Sequence, residues 1–312
     1  MKAVAAFVMR GRVQAAALAT SLALLGLVVT PLALICLVGS GAAVALVTLR
    51  SGPRDGALVT GLGVAVLALV GAASFGEPLR LALVGLGIWL PALGLAAALR
   101  TWRSLALTVE LAVLAGFGLV LVQYLPEGDP ALFWAQVMRE LLGQMTGEGG
   151  IDQAQLNDLI DALAPWMVGG LGAVWTVQLA LTMFAARAWQ AQLYNPGGFR
   201  QEFYALRLGR WLGILVPVLL LGGLFGGEPG PTLPAQLSLV GMAGFFVQGL
   251  AVVHGAVAAI GAAKAWLVGF YVLLFMILPH SFTVVSTVGF ADSWLDFRQR
   301  IAKRRGGNGD RQ

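Results

Sequence analysis

Apolar residues run through this chain in long blocks and do not recur at the i, i+3, i+4 spacing of a half-buried helix. The blocks lie at 13–30, 31–49, 56–75, 79–99, 104–124, 166–186, 211–226, 236–261 and 265–290. A helix that crosses a bilayer needs about 20 mostly apolar residues. A helix apolar on every side is stable only where protein or lipid surrounds it. The pattern therefore predicts an all-α fold, a polytopic transmembrane helical bundle. The stretch 13–49 is too long for one crossing: at 1.5 Å per residue it would reach about 55 Å against a hydrocarbon core of about 30 Å. Pro31 follows Thr30 inside it. The residue before a proline avoids the helical region, so two short helices hinged there are expected.

Two polar segments interrupt the blocks. In 125–164, Asp129-Pro130 reads as an N-cap followed by proline at the first helical position. Leu132, Phe133, Val137, Leu141 and Leu142 then fall largely on one helical face, the expected buried one. A second helix is expected from Asp152, with Gln155 as its capping-box partner and Leu156, Leu159, Ile160 and Leu163 as its stripe. Gly147, Gly149 and Gly150 would form the turn between them. Such an amphipathic pair either caps an opening or connects two spans at the interface. In the second polar segment, a turn at 194–198 precedes FRQEFYALRLGRW (199–211), which mixes Phe199, Phe203, Leu206 and Trp211 with Arg200, Arg207 and Arg210. That is the composition of a helix in the headgroup layer, aromatics inward and arginines on phosphate. The three arginines are candidate partner-docking residues; the plainer reading is a basic cytoplasmic loop.

Composition agrees with a membrane protein: 58% of the 312 residues are hydrophobic and 11% charged, with mean hydropathy +0.83. Soluble domains carry about 25% charge. Placement of charge adds orientation. Of 20 Lys and Arg, all but Arg80 and Arg139 lie in one alternate set of loops and tails, and basic loops stay in the cytoplasm. Lys2, Arg10 and Arg12 place the N-terminus inside, as a retained first helix and not a cleaved signal. Arg50, Arg54, Arg100, Arg103, the 187–210 loop and Lys264 follow on the same side. Glu77, the segment 125–164 and Glu228 fall outside. A single crossing over 265–290 would then put the basic tail, Arg298 to Arg311, outside. Pro279 and His280 interrupt that stretch after about 21 Å of helix, so a broken or re-entrant hairpin returning the tail to the cytoplasm is favoured over one tilted helix. The expected architecture is about eight full spans plus this hairpin. Its divisions are a bundle at 1–190 that includes the external cap 125–164, an interfacial loop at 191–210, C-terminal helices at 211–297, and a tail at 298–312. The pI near 9.9 follows from the loop bias and the tail; with no aromatic-basic platform, no nucleic-acid partner is expected.

Candidate chemistry is sparse. Cys36 stands alone, which excludes an internal disulfide, and two histidines with one cysteine argue against structural zinc. No metal or cofactor is expected. Ionisable and polar groups at membrane depth mark binding sites or pathways by default. Glu110, Gln178, Gln248, His254 and His280 are therefore the ligand-binding candidates. Against this, Glu110 can snorkel toward Arg100 or Arg103, and a buried histidine is more often a hydrogen-bonded core residue. Asp292 and Asp296, beside Trp294 and Arg298, read as an interfacial cap. Ala15 and Ala19 form an AxxxA face for another subunit or for internal packing. HExxH, GxSxG and Walker-type patterns are absent, so no enzyme is expected, and energised transport would need a partner's ATP machinery.

QGLAVVHG (248–255), GFADSWLDFRQR (289–300) and FYALRLGRW (203–211) resemble the YybS-like family of multi-pass bacterial inner-membrane proteins. That family is grouped distantly with the substrate-capture subunits of energy-coupling-factor transporters. Residues 31–58, with their Gly-Pro turn, also resemble helices two and three of those subunits. The resemblance implies an inner-membrane bundle with an outward pocket and a membrane coupling subunit docked partly through an alanine-rich first helix, here Ala15 and Ala19. The leading expectation is a small-molecule binding or transport component whose first six spans shape a pocket under 125–164, with Trp89, Trp175 or Gln178 in its lining. A scaffold or assembly factor of the cell envelope is the second reading, and an intramembrane enzyme the third.

Overall fold

A computed structural model describes residues 2–126, 128–143, 152–225, 231–263 and 265–295. Glu228, Lys264, Asp296, the glycine turn at Gly147, Gly149 and Gly150, and the basic tail from Arg298 lie outside the described residues. Among those described, every regular element is helical: α1 Lys2–Val8, α2 Arg12–Val28, α3 Ala33–Ser51, α4 Pro53–Phe75, α5 Pro78–Trp102, α6 Leu105–Val122, α7 Pro130–Leu142, α8 Gln153–Leu163, α9 Met167–Tyr194, α10 Gly198–Tyr204, α11 Arg210–Leu224, α12 Leu233–Ile260, α13 Ala265–Met276 and α14 His280–Leu295. Six helical stretches among them are long and apolar enough to cross a membrane: Thr30–Ser51, α4, α5, α6, Gln153–Tyr194 and α12. The chain is a multi-pass membrane protein. α2, α11 and α13 are shorter, at 17, 15 and 12 residues. The surface of α4 shows why water is the wrong solvent. Leu58, Leu62, Val66 and Leu69 form an exposed stripe along it, and only lipid makes such a stripe cheap.

The chain divides into two compact units. The first holds residues up to Ala112, Val177–Arg207 and Ala251–Ile260; the second holds Val113–Thr176, Leu208–Leu250 and the residues from Gly261. The expected boundary at 190/191 falls inside α9.

In the first unit, α2 ends at Val28, a 3₁₀ turn carries Pro31, and α3 starts at Ala33. The two helices run antiparallel. The Gly26 backbone lies against Cys36, Gly39 lies against Leu22, and Ser40 Oγ donates to the Ala19 carbonyl at 2.7 Å. Splitting 13–49 at Pro31 thus matches the structure. Gly52, at φ 113°, turns the chain into Pro53 at the start of α4; an L side chain is strained at that φ. α4 and α5 form a second antiparallel pair, with Gly71 against Pro78, Gly85 against Leu67 and Gly63 against Trp89. Trp89 is fully buried and donates its Nε1 hydrogen to Ser40 Oγ at 2.8 Å.

In the second unit α12 and α14 run parallel at backbone contact. Ser286 Oγ donates to the Met242 carbonyl at 3.0 Å, and a Cβ on Gly289 would sit 2.0 Å from the Phe245 carbonyl oxygen. One on Gly249 would sit 2.1 Å from that of Val285. α11 runs the other way. Gly213, near its start, faces the Trp294 ring, while Pro217 and Leu220 share a small groove with Ser286 and Phe290. The end of α14 therefore lies beside the beginning of α11, next to Arg210. Between α13 and α14 the helix breaks at 277–279, the position expected from Pro279, and Ser281 Oγ donates across the break to the Leu274 carbonyl at 2.6 Å.

Candidate functional site

The end of the second unit formed by α7, α8 and the N-terminus of α12 contains an open recess of about 460 Å³. Tyr124, Asp129, Leu132, Asp161, Thr232 and Gln236 contribute to its walls. Local chemistry builds it as expected at one end. Asp129 caps α7, its Oδ1 accepting from the Ala131 amide at 2.8 Å, with Pro130 at the first position. Asp152 occupies the N-cap of α8, but its side chain makes no capping bond, so the capping box with Gln155 does not form.

The buried face of α7 differs from the expected one. Ala135 is buried with Leu156, Ile160 and Ala164, and Trp134, Met138 and Leu142 pack around them. Leu132, Phe133 and Leu141 point outward, as do Leu159 and Leu163 of α8. α7 is apolar on two faces, and period alone cannot rank them. The choice is made by Gln123 at the end of α6, which the sequence reading passed over. Its Oε1 accepts from Trp134 Nε1 at 2.9 Å, and its Nε2 donates to the Leu119 and Val168 carbonyls at 3.2 and 3.4 Å. One carboxamide thus ties α6, α7 and α9 together.

A second carboxamide fixes the opposite wall. Gln236 is buried; its Oε1 accepts from the Gly169 amide at 2.7 Å and its Nε2 donates to the Pro165 carbonyl at 2.5 Å. Asp161 pairs with Arg139 at 3.0 Å. Both partners are largely exposed, so the pair contributes at most about 1 kcal/mol. Burial first, and the Asp129 carboxylate second, raise the Tyr124 phenol above its ordinary 10.0. The recess therefore presents two carboxylates, a neutral phenol and a carboxamide beside apolar walls. That set can hold a small polar ligand and favours a cationic group on it.

The remaining candidates scatter. Glu110 is half-buried on α6, and Gln178 half-buried on α9. His254 is half-buried and packs edge-on against Phe203, centroids 5.5 Å apart. His280 is exposed at the start of α14. Gln248 is fully buried and closes a network: its Oε1 accepts from the Leu208 amide at 2.8 Å, and its Nε2 donates to the Gly289 carbonyl at 2.9 Å and Ser293 Oγ at 3.1 Å. Asp292 Oδ2 lies 3.4 Å from the same nitrogen and is fully buried. This corrects the interfacial reading of Asp292: its face of α14 packs on α12. Gln248 reads as an architectural residue, its buried carboxamide joining the Leu208 amide and α14 to α12.

Of the docking candidates, Ala15 and Ala19 are buried inside the first unit, so their small face packs internally. Arg200 and Arg210 are exposed and Arg207 is half-buried. Two aromatics of that loop are engaged within the protein: Phe199 and Phe203 of α10 stack and pack on Phe184 of α9, while Trp211 is exposed. Trp89, expected in a pocket lining, fills the core. Among the described residues, no three His, Cys, Asp or Glu side chains come together in a metal-binding group. Comparison of the chain with family models, with curated proteins and with solved structures gives no match.

Proposed function

We propose that this membrane protein is a small-molecule binding or transport component without an energy source or catalytic activity of its own. In this reading its ligand site is the recess walled by α7, α8 and the start of α12. The observation that carries the reading is the polar lining of that recess, Asp129, Asp161, Tyr124 and Gln236, held by two buried or bridging carboxamides. The resemblance of 203–211, 248–255 and 289–300 to the YybS-like family supports it through that family's distant grouping with substrate-capture subunits. The recess draws its walls from Tyr124, α7, α8 and the starts of α9 and α12, so in this reading the segment 125–164 is itself part of the site. In the same proposal the basic loops face the cytoplasm of a bacterial inner membrane. α13 and α14 form a hairpin, supported by the parallel course of α12 and α14 and by Trp294 lying against Gly213.

Mass spectrometry of molecules that co-purify in mild detergent tests the function. A small cationic molecule is expected with the wild-type protein and not with A131W, which fills the recess. Recovery of neither a small molecule nor a coupling subunit would refute the proposal. An envelope scaffold is the second reading. It is favoured by the close packing of the first unit, where Trp89 and most of α3 from Ser40 to Leu49 are buried.

A further inference from the structure

A second concave site lies wholly within the first unit, apart from the recess. It is a polar basin of about 500 Å³ walled by Leu49, Arg50, Leu99, Arg100, Arg103, Arg187, Gln190 and Glu202. Four guanidinium groups face one carboxylate there. The obvious explanation is helix-end neutralisation, and it accounts for part of the charge. Arg100 Nη1 donates to the Leu49 and Arg50 carbonyls at 2.6 and 2.9 Å, satisfying the last turn of α3. The C-termini of α3 and α5 each present about half a negative charge. With Glu202 they offset about two of the four positive charges, leaving about two.

Three of the arginines, Arg50, Arg100 and Arg187, are also held in place. Arg187 grips Glu202 with two parallel hydrogen bonds, Nε to Oε2 at 2.8 Å and Nη2 to Oε1, and its Nη1 donates to Gln190 Oε1 at 2.7 Å. Arg50 lies over the Tyr194 ring, 4.3 Å from its centroid. Arg103 closes α5 in the left-handed region at φ 52° and is exposed. Gripping and stacking lower the entropy that a binding anion must remove. Exposed Trp102 beside the basin is the residue type found at the membrane–water boundary.

We propose that this basin binds a phosphate group, with Arg50 and Arg103 as the donors that close on it and Arg100 and Arg187 as the fixed wall. Guanidinium forks match phosphate oxygens in geometry, and about two uncompensated positive charges favour an anionic phosphate, whether a singly charged diester or a doubly charged monoester. Such a phosphate comes either from an anionic lipid headgroup, as basic pockets between membrane helices take, or from a soluble phosphorylated molecule.

The full chain in mild detergent is tested as wild type, R103Q and R50Q/R103Q. Neither side chain makes one of the carbonyl or carboxylate contacts that hold the basin walls; Arg50 takes part in them only through its backbone carbonyl, which the substitution keeps. Binding of phosphatidylglycerol and of phosphatidylcholine is measured by native mass spectrometry. Thermal unfolding is followed with inorganic phosphate against chloride at matched ionic strength. Loss of each guanidinium is expected to weaken binding about tenfold. Retention of phosphatidylglycerol that falls in the order wild type, R103Q, double variant, with no phosphate effect, identifies the headgroup as the source. A phosphate-specific rise in unfolding temperature, lost in the double variant, identifies a soluble phosphate. Phosphatidylcholine retained as well as phosphatidylglycerol and no phosphate effect, or binding and stability indifferent to both substitutions, would overturn the proposal.

Discussion

Replacing Gly289 by alanine tests the crossing that sets the direction of α14. The new Cβ would lie 2.0 Å from the Phe245 carbonyl oxygen and 2.7 Å from the Gly249 amide nitrogen. Both obstacles are helix backbone, so no side chain can swing away. Reaching ordinary van der Waals contact requires α12 and α14 to separate by roughly 1.4 Å, and overpacking of this kind costs about 1–3 kcal/mol. Separation also pulls the Gly289 carbonyl away from Gln248 Nε2, a bond of 2.9 Å at a fully buried side chain. That adds about 1 kcal/mol. The expected loss is about 2–4 kcal/mol, read as a shift in the unfolding midpoint of the detergent-solubilised protein on titration with SDS. Gly118→Ala is the matched control, because nothing lies within 4 Å of the Cβ it adds. In a helix interior that change is neutral or favourable by up to about 1 kcal/mol. Equal midpoints for G289A and G118A would refute the packing of α12 on α14, and with it the support for the hairpin.

A reporter fused after Asp310 is expected to give the same cytoplasmic signal as one inserted at Gly197; opposite signals would remove the hairpin. Among the four tyrosines, subtracting the alkaline absorbance titration of Y124F from that of wild type isolates Tyr124. Its midpoint is expected above 10.0, because burial and Asp129 both favour the neutral phenol. The sign for stability follows: the contribution is complete below pH 10.0 and is lost as pH rises through the higher folded-state value. D129N should lower the midpoint, and a Tyr124 component at or below 10.0 would show that the phenol is not desolvated in the recess.

What was legible in the chain was set by short-range chemistry. Blocks of apolar residues make spans because unpaired backbone is intolerable in lipid. Pro31 and Pro279 stand at breaks between helices, although Pro91 and Pro217 sit inside α5 and α11, and Asp129-Pro130 caps α7 by a bond two residues long. What only the tertiary structure decided were choices between options that are locally equal. α7 has two apolar faces, and Trp134 turns inward because Gln123, eleven residues earlier, accepts its hydrogen. Asp292 looks like a membrane-exit residue until α14 is laid on α12, which places it beside Gln248, 44 residues away. Gln178 and Gln248 look alike in sequence, yet Gln178 is half-buried on α9 while Gln248 is fully buried in a network that joins α12 to α14. The basin draws on residues 50, 100, 103, 187 and 202, which no spacing connects. Loop charge alone named these arginines as orientation signals. Their convergence on one carboxylate depends on which helix ends meet, and long-range packing of near-featureless apolar surfaces decides that.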